Sequence, residues 1–424
     1  MEEHLRNYFK NLGYFVVRSV KYKYEGNDIT DVDLLLYGRT TFLGRQRINV
    51  DIKNKKTPQA FERILWANGL MRLLRFDSCI VATTDTRPVI HSFGRLHQTT
   101  IIDGTTLGKL RLNSLENRLS EEDLVNELVG IKSFKNFPNK DWRTIYELSK
   151  SRLLTELDFS GANATLIVVK YLLEKALVDP QKRETAIRML YVIIAHFLVI
   201  IDYILKDISF LEQGEREKRL SDGFTFGNLG KEGVDKIIQM AELISENKKG
   251  GVMMREMENE SAVILKEFFG KAEVTRDIFK WARGFELLCF NKELITPESL
   301  DAPYKSIISV LLDYFAISRQ SFFNLFPKTE MTAQTISQRI EHEFSITHSP
   351  TITRVTMKNK TLYYGYFQHF DDYAELRKNY QYRFIPATNA MAFIQEREKT
   401  GKLNPQHSII LDAGQIKDID LVLQ

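Results

Sequence analysis

The first hundred residues switch repeatedly between two hydrophobic periods. Over residues 2–12 the apolar positions Leu5, Tyr8, Phe9 and Leu12 recur at helical spacing, and Gly13 follows as a helix-stopping glycine. Tyr14, Phe15, Val16 and Val17 then read as a strand, and residues 20–28 as a polar turn or loop around Gly26 and Asn27. Residues 32–37 form a buried strand run ended by Gly38, and residues 48–52 form another. Pro58 stands where a first helical turn would start, and Phe61, Ile64, Leu65 and Leu70 carry helical period after it. Residues 79–82 read as a strand leading into a threonine-rich loop, 89–97 as a short helix and 100–104 as a strand running into a turn, with 105–112 closing the unit. The order predicts an α/β sandwich around a mixed sheet.

From about residue 119 the texture is helical. Ser120 followed by Glu121, Glu122 and Asp123 looks like a capped helix start. Helices are predicted over 120–130, 141–158, 163–178, 182–206, 231–247, 253–270, 275–290 and 303–324, separated by Gly, Asp, Asn and Pro punctuation. The last stretch changes again: a helix over 331–344, strands over 351–355 and 361–367 around a Lys358-Asn359-Lys360 turn, a helix over 387–399 and a strand over 408–412. The expected domains are therefore an α/β domain over 1–115, an all-α domain over 116–327 and a small α/β domain over 328–424. The helix-then-two-strands order of the last is compatible with a winged helix.

Composition changes this picture little. Hydrophobic residues are 43% and charged residues 27%, ordinary for a globular chain. Two cysteines are too few for a disulfide scaffold and too far apart for a zinc cluster, so a reducing, cytoplasmic setting is expected. The start, MEEHLRNYF, lacks the pattern of a signal peptide. Residues 189–205 are strongly apolar but slightly short for a span and contain His196 and Asp202, so a buried bundle helix is expected rather than a membrane segment. Charge is more informative by region. Residues 1–112 hold 18 Lys and Arg against 11 Asp and Glu, a balance of +7 within a whole-chain charge of +4. A basic excess confined to the first domain suggests a polyanion partner there.

The candidate chemistry lies in ITDVDLLLYG at 29–38 and INVDIKNKK at 48–56. A strand alternates its faces, so Asp31 and Asp33 share one side, and so do Asp51 and Lys53. If these strands pair, three carboxylates and one ammonium meet at one sheet edge. Crowded carboxylates repel, and a hard divalent cation such as Mg²⁺ relieves the conflict. A metal can supply hydroxide from bound water and stabilise phosphate charge, and a lysine beside that water can orient it. Lys55 and Lys56 are candidate phosphate contacts. His196 reads as a satisfied core histidine, and no Walker A, serine-hydrolase or zinc spacing is present.

An acidic strand followed by D-x-K on the next strand, after a helix bearing glutamate, resembles the PD-(D/E)XK nuclease superfamily. EEHLRNYFKNLGYFVV, FDSCIVATTD and TTIIDGTTLGKL extend the resemblance to the Mrr-like restriction endonuclease branch, over residues 2–112. The resemblance places Asp33 as the first acid, Asp51 as the D/E and Lys53 as the lysine. Glu2, or else Glu3, matches the helix glutamate, and Gln59 lies near a glutamine that some members carry. Asp51 replaces the commoner glutamate, no proline precedes Asp33, and Arg63 stands where a Q-x-x-x-Y pattern has tyrosine. The resemblance implies a restriction-endonuclease-like domain that cleaves DNA with Mg²⁺ (Mn²⁺ able to substitute), in restriction or anti-phage defence. It also implies a homo-oligomer or a partner defence protein. The rival is a catalytically inactive module of the same fold that binds nucleic acid or scaffolds a complex.

Overall fold

The computed structural model describes residues 1–41, 43–53, 59–112, 118–133, 140–234 and 261–327, together with the strands 351–357, 360–366, 383–385 and 408–410. The chain divides into two compact units, Met1–Ala333 and Gln334–Gln424.

The first unit opens with α1 (Glu2–Asn11), which ends at Gly13 in the left-handed conformation, φ 95°. Then come β1 (Phe15–Tyr24), β2 (Asn27–Arg39), β3 (Arg45–Lys53), α2 (Ala60–Leu73), β4 (Ser78–Thr83), α3 (Val89–Leu96), β5 (Thr99–Ile102) and α4 (Gly104–Leu112). The five strands form one sheet in chain order. β1, β2 and β3 are antiparallel neighbours, while β3, β4 and β5 run parallel, so the sheet is mixed as expected. Alternation sorts the two faces. Leu34, Leu36, Ile48, Val50, Ile80 and Ala82 pack under Leu5 and Phe9 of α1 and Leu107 of α4. On the other face, Cys79 and Val81 pack against Ile64 and Ala67 of α2.

Residues 20–28 are not a loop. β1 and β2 continue as a long hairpin whose turn is only Glu25-Gly26, with φ 48° and 82°. Two left-handed residues are what a tight hairpin needs, and the polar sequence there reflects solvent exposure rather than irregular backbone. At the far side of the sheet, Gly104 comes so close to the Thr84 backbone that a Cβ would lie 2.4 Å from its carbonyl oxygen. Its N–H also bonds the Asp85 carbonyl, so the closing Asp-Gly segment is seated on the threonine loop.

Helices α5 (Glu121–Leu128), α6 (Trp142–Thr155), α7 (Phe159–Val178), α8 (Arg183–Leu205), α9 (Gln213–Phe226), α10 (Ser261–Phe269), α11 (Ala272–Phe290), α12 (Ala302–Tyr314) and α13 (Arg319–Phe323) follow. Ser120 caps α5 through a capping box with Asp123. The helix expected over 303–324 is broken at Ala316, which is left-handed at φ 54°. The α9 helix was not legible in the pattern, because Gly214, Gly223 and a polar majority hide its Leu220 and Phe224 stripe. Gly223 is needed where α9 meets the Phe159 ring, 2.3 Å from where a Cβ would stand. The helix expected over 231–247 and those at 331–344 and 387–399 fall largely or wholly outside the described residues. In the second unit, β6 (Thr351–Met357) pairs antiparallel with β7 (Lys360–Tyr366), and the strands Arg383–Ile385 and Ser408–Ile410 add parallel pairings. Those parallel pairings are not part of a winged helix's antiparallel wing.

By length and apolarity α8 would pass as a membrane span, but 94% of its apolar window is buried within the fold. Its two polar interruptions both have partners. Asp202 accepts hydrogen bonds from Tyr37 of β2 and Arg45 of β3. His196 Nδ1 shares a 2.8 Å hydrogen bond with Ser149 Oγ, and its ring stacks on Tyr146. Burial, with the Lys150 ammonium adding to it, holds the His196 pKa down at about 3, against 6.5 for a free imidazole. Below pH 6.5 the unfolded chain therefore binds a proton that the folded chain refuses, and stability falls as pH drops from there toward 3. Between pH 7 and pH 5 this one group removes about 2 kcal/mol. In urea titrations at the two pH values, His196→Gln is expected to shrink the wild-type loss by about that amount. An unchanged loss would mean that the imidazole is protonated in the fold.

Candidate active site

The candidate residues lie where the sheet stops being regular. Along β1 and β2 the pairing passes from Arg18 opposite Leu34 to Val20 opposite Val32, leaving Ser19 and Asp33 outside the ladder. Ser19 is left-handed there, φ 47°, a costly conformation for a residue with a Cβ. On the other side, the β2–β3 ladder runs from Arg39 opposite Arg45 to Leu34 opposite Val50 and ends. The next free backbone donor on β3 is Ile52 N–H, and Asp33 Oδ2 accepts it at 2.6 Å. An aspartate side chain thus replaces the missing backbone acceptor and is drawn against β3.

Asp51 and Lys53 lie on the face of β3 that carries Asn49. Asn49 faces α2, since its side-chain amide donates to the Ala67 carbonyl at 3.2 Å. Asp51 is buried, and both of its oxygens accept from Arg63 on α2. Nε donates to Oδ2 at 2.8 Å and Nη2 donates to Oδ1. Burial raises the Asp33 pKa, the Ile52 N–H opposes that, and the Glu2 charge raises it further, while Arg63 and Lys53 pull it down. Glu2, Asp33, Lys53 and Arg63 thus share one electrostatic neighbourhood. Glu2 comes to it from the first turn of α1, with its Oε2 accepting from Arg18 Nη2 at 2.8 Å. The same guanidinium also holds Glu3 and Glu122.

The remaining expectations fare differently. Asp31 is exposed, opposite Lys21 on the hairpin and beyond the end of the β2–β3 ladder. The expected meeting of three carboxylates is therefore not formed. Among the described residues no group of three or more His, Cys, Asp or Glu could hold a metal. Gln59 is exposed at the cap of α2, one turn before Arg63. Lys55 and Lys56 fall outside the described residues. Arg63 is the residue that sequence reasoning undervalued. Its position four after Gln59, on the same helical face, was the available signal.

The fit to a cation is testable on these contacts. The Arg63 guanidinium is held by Asp51 and acts on Asp33, so the pair already accommodates one positive group. Two carboxylates match the one or two that Mg²⁺ takes alongside water and phosphate oxygens. No family model matches the chain, and neither does any curated protein or solved structure.

Proposed function

We propose that the N-terminal sheet and its helices are a restriction-endonuclease-like domain and that the protein is a metal-dependent endonuclease hydrolysing DNA. The observation that carries this reading is the Asp33 carboxylate bound to Ile52 N–H at the end of the β2–β3 ladder, beside Asp51 and Lys53. Asp33 and Asp51 would hold Mg²⁺ or Mn²⁺, which supplies a nucleophilic hydroxide and stabilises phosphate charge when bound. Lys53 orients the attacking water and offsets charge as the phosphorane forms. Glu2, tied to Arg18, keeps negative charge beside Asp33. The basic balance of residues 1–112 supplies the long-range attraction to a nucleic-acid backbone. Restriction or anti-phage defence, with self-association or a partner protein, is the setting this reading favours. The second unit, as a small α/β domain, is assigned to recognition or assembly.

One observation favours the rival reading of a non-catalytic module: both Asp51 oxygens are engaged by Arg63. Incubating the full chain with supercoiled plasmid, single-stranded DNA and RNA separates the two. Cleavage of DNA that needs Mg²⁺ or Mn²⁺ and stops in EDTA is expected. Binding without cleavage under every metal tested would favour the rival.

A further inference from the structure

We propose that Arg63 is a positioning residue that couples metal binding to substrate: it holds Asp51 closed until a phosphodiester takes the guanidinium away. The proposal rests on the metal-dependent reading of Asp33 and Asp51 and adds the order in which the site fills.

The geometry sets up a competition. A divalent cation at Asp51 needs at least one carboxylate oxygen, and Arg63 already donates to both. Guanidinium and metal also repel, so they exclude each other from that carboxylate. With Glu2 offset by its partner Arg18, the charges around the site are Asp33 and Asp51 against Lys53 and Arg63, a balance of zero. A divalent ion added with Arg63 in place leaves an excess of two positive charges, and one phosphodiester arriving with it halves that excess. Phosphate is also the group best matched to remove Arg63, because the fork that grips a carboxylate grips phosphate in the same bidentate way.

Arg63 can make the exchange without unfolding its helix. Its side chain is 22% exposed. The guanidinium lies 5.9 Å from the ring of half-exposed Trp66, an aromatic face it can remain against as it turns outward. The hold of α2 on the sheet does not depend on it, since Ile64 and Ala67 pack on Cys79 and Val81, and Asn49 bonds the Ala67 carbonyl. Binding linkage then requires reciprocity: DNA tightens the metal by the factor by which metal tightens DNA.

The test is Mn²⁺ affinity, read by electron paramagnetic resonance with and without a short DNA duplex. A Lys53→Ala background keeps the duplex intact. With Arg63 present, the duplex is expected to raise Mn²⁺ affinity at least about tenfold. Arg63→Ala is expected to bind Mn²⁺ about tenfold tighter without DNA and to lose most of the duplex effect. Arg63→Gln serves as a second variant, with circular dichroism confirming the fold of each. If removing Arg63 leaves the DNA-free affinity within about twofold while Asp51→Asn abolishes binding, the coupling is wrong and the metal site stands. If no Mn²⁺ binding depends on Asp51 in either form, the coupling and the metal site fall together.

Discussion

Asp202→Ala is expected to cost about 3–5 kcal/mol of folding stability. Asp202 is fully buried on α8, and the side chain of its partner Arg45 is fully buried as well. Arg45 Nε donates to Oδ2 at 2.5 Å and Nη2 to Oδ1 at 2.8 Å, while Tyr37 Oη donates to Oδ2 at 2.6 Å. Burial, and then the Asp202 charge, push the Tyr37 phenol well above its usual range, so it stays a donor. Truncating the aspartate leaves a guanidinium out of water and opposite an empty space. Such a loss exceeds the net worth of the pair itself, because the penalty is the stranded charge. Replacing both partners, as in Asp202→Leu with Arg45→Met, is therefore expected to recover much of what Asp202→Ala loses. Urea midpoints of the single and double variants check this. A double variant no more stable than Asp202→Ala would show that packing around α8, not the uncompensated charge, sets the cost.

That pair also explains why parts of the molecule were harder to read than others. Periodicity found every strand of the N-terminal sheet, because the inward positions are Val, Ile and Leu at spacing two and the sheet is covered on both faces. The same alternation put Asp31 with Asp33, and Asp51 with Lys53, on shared faces of their strands. Periodicity also flagged Asp202 and His196 as odd within an apolar helix, but no local pattern could name Tyr37, Arg45 or Ser149 as their partners. Those residues lie 165, 157 and 47 positions away. The hairpin at 20–28 was misread because exposed strands alternate only weakly. The α9 helix was missed because its buried stripe is short and its glycine serves a contact with Phe159. The Asp31 expectation failed on register. Strand alternation gives the face a residue occupies, but where a ladder ends is decided by the neighbour, here the Asp33 side chain taking Ile52 N–H. Arg63 was visible as a departure from a pattern and became informative only when its partner was known.

Asp51→Asn is expected to lower the single-turnover cleavage rate by about 10³-fold or more while leaving the fold and DNA affinity in place. Asparagine matches the shape of aspartate but offers one neutral oxygen, so it loses most of its hold on a divalent ion. It also loses the charge that holds Arg63, and a freed guanidinium can only help phosphate binding. Weaker cleavage should therefore come with equal or tighter DNA binding when affinity is read without metal, a combination that simple unfolding cannot produce. Lys53→Ala provides the contrast on the same strand. A lysine acting on the attacking water or the phosphorane changes rate far more than affinity, by roughly 10²–10⁴-fold. Fluorescence anisotropy against a labelled duplex, beside single-turnover rates in Mg²⁺, resolves the two. Equal losses of rate and affinity for Lys53→Ala would reduce that residue to a phosphate contact. A purified Asp51→Asn that cuts at the wild-type rate would falsify the assignment of these strands as the nuclease centre.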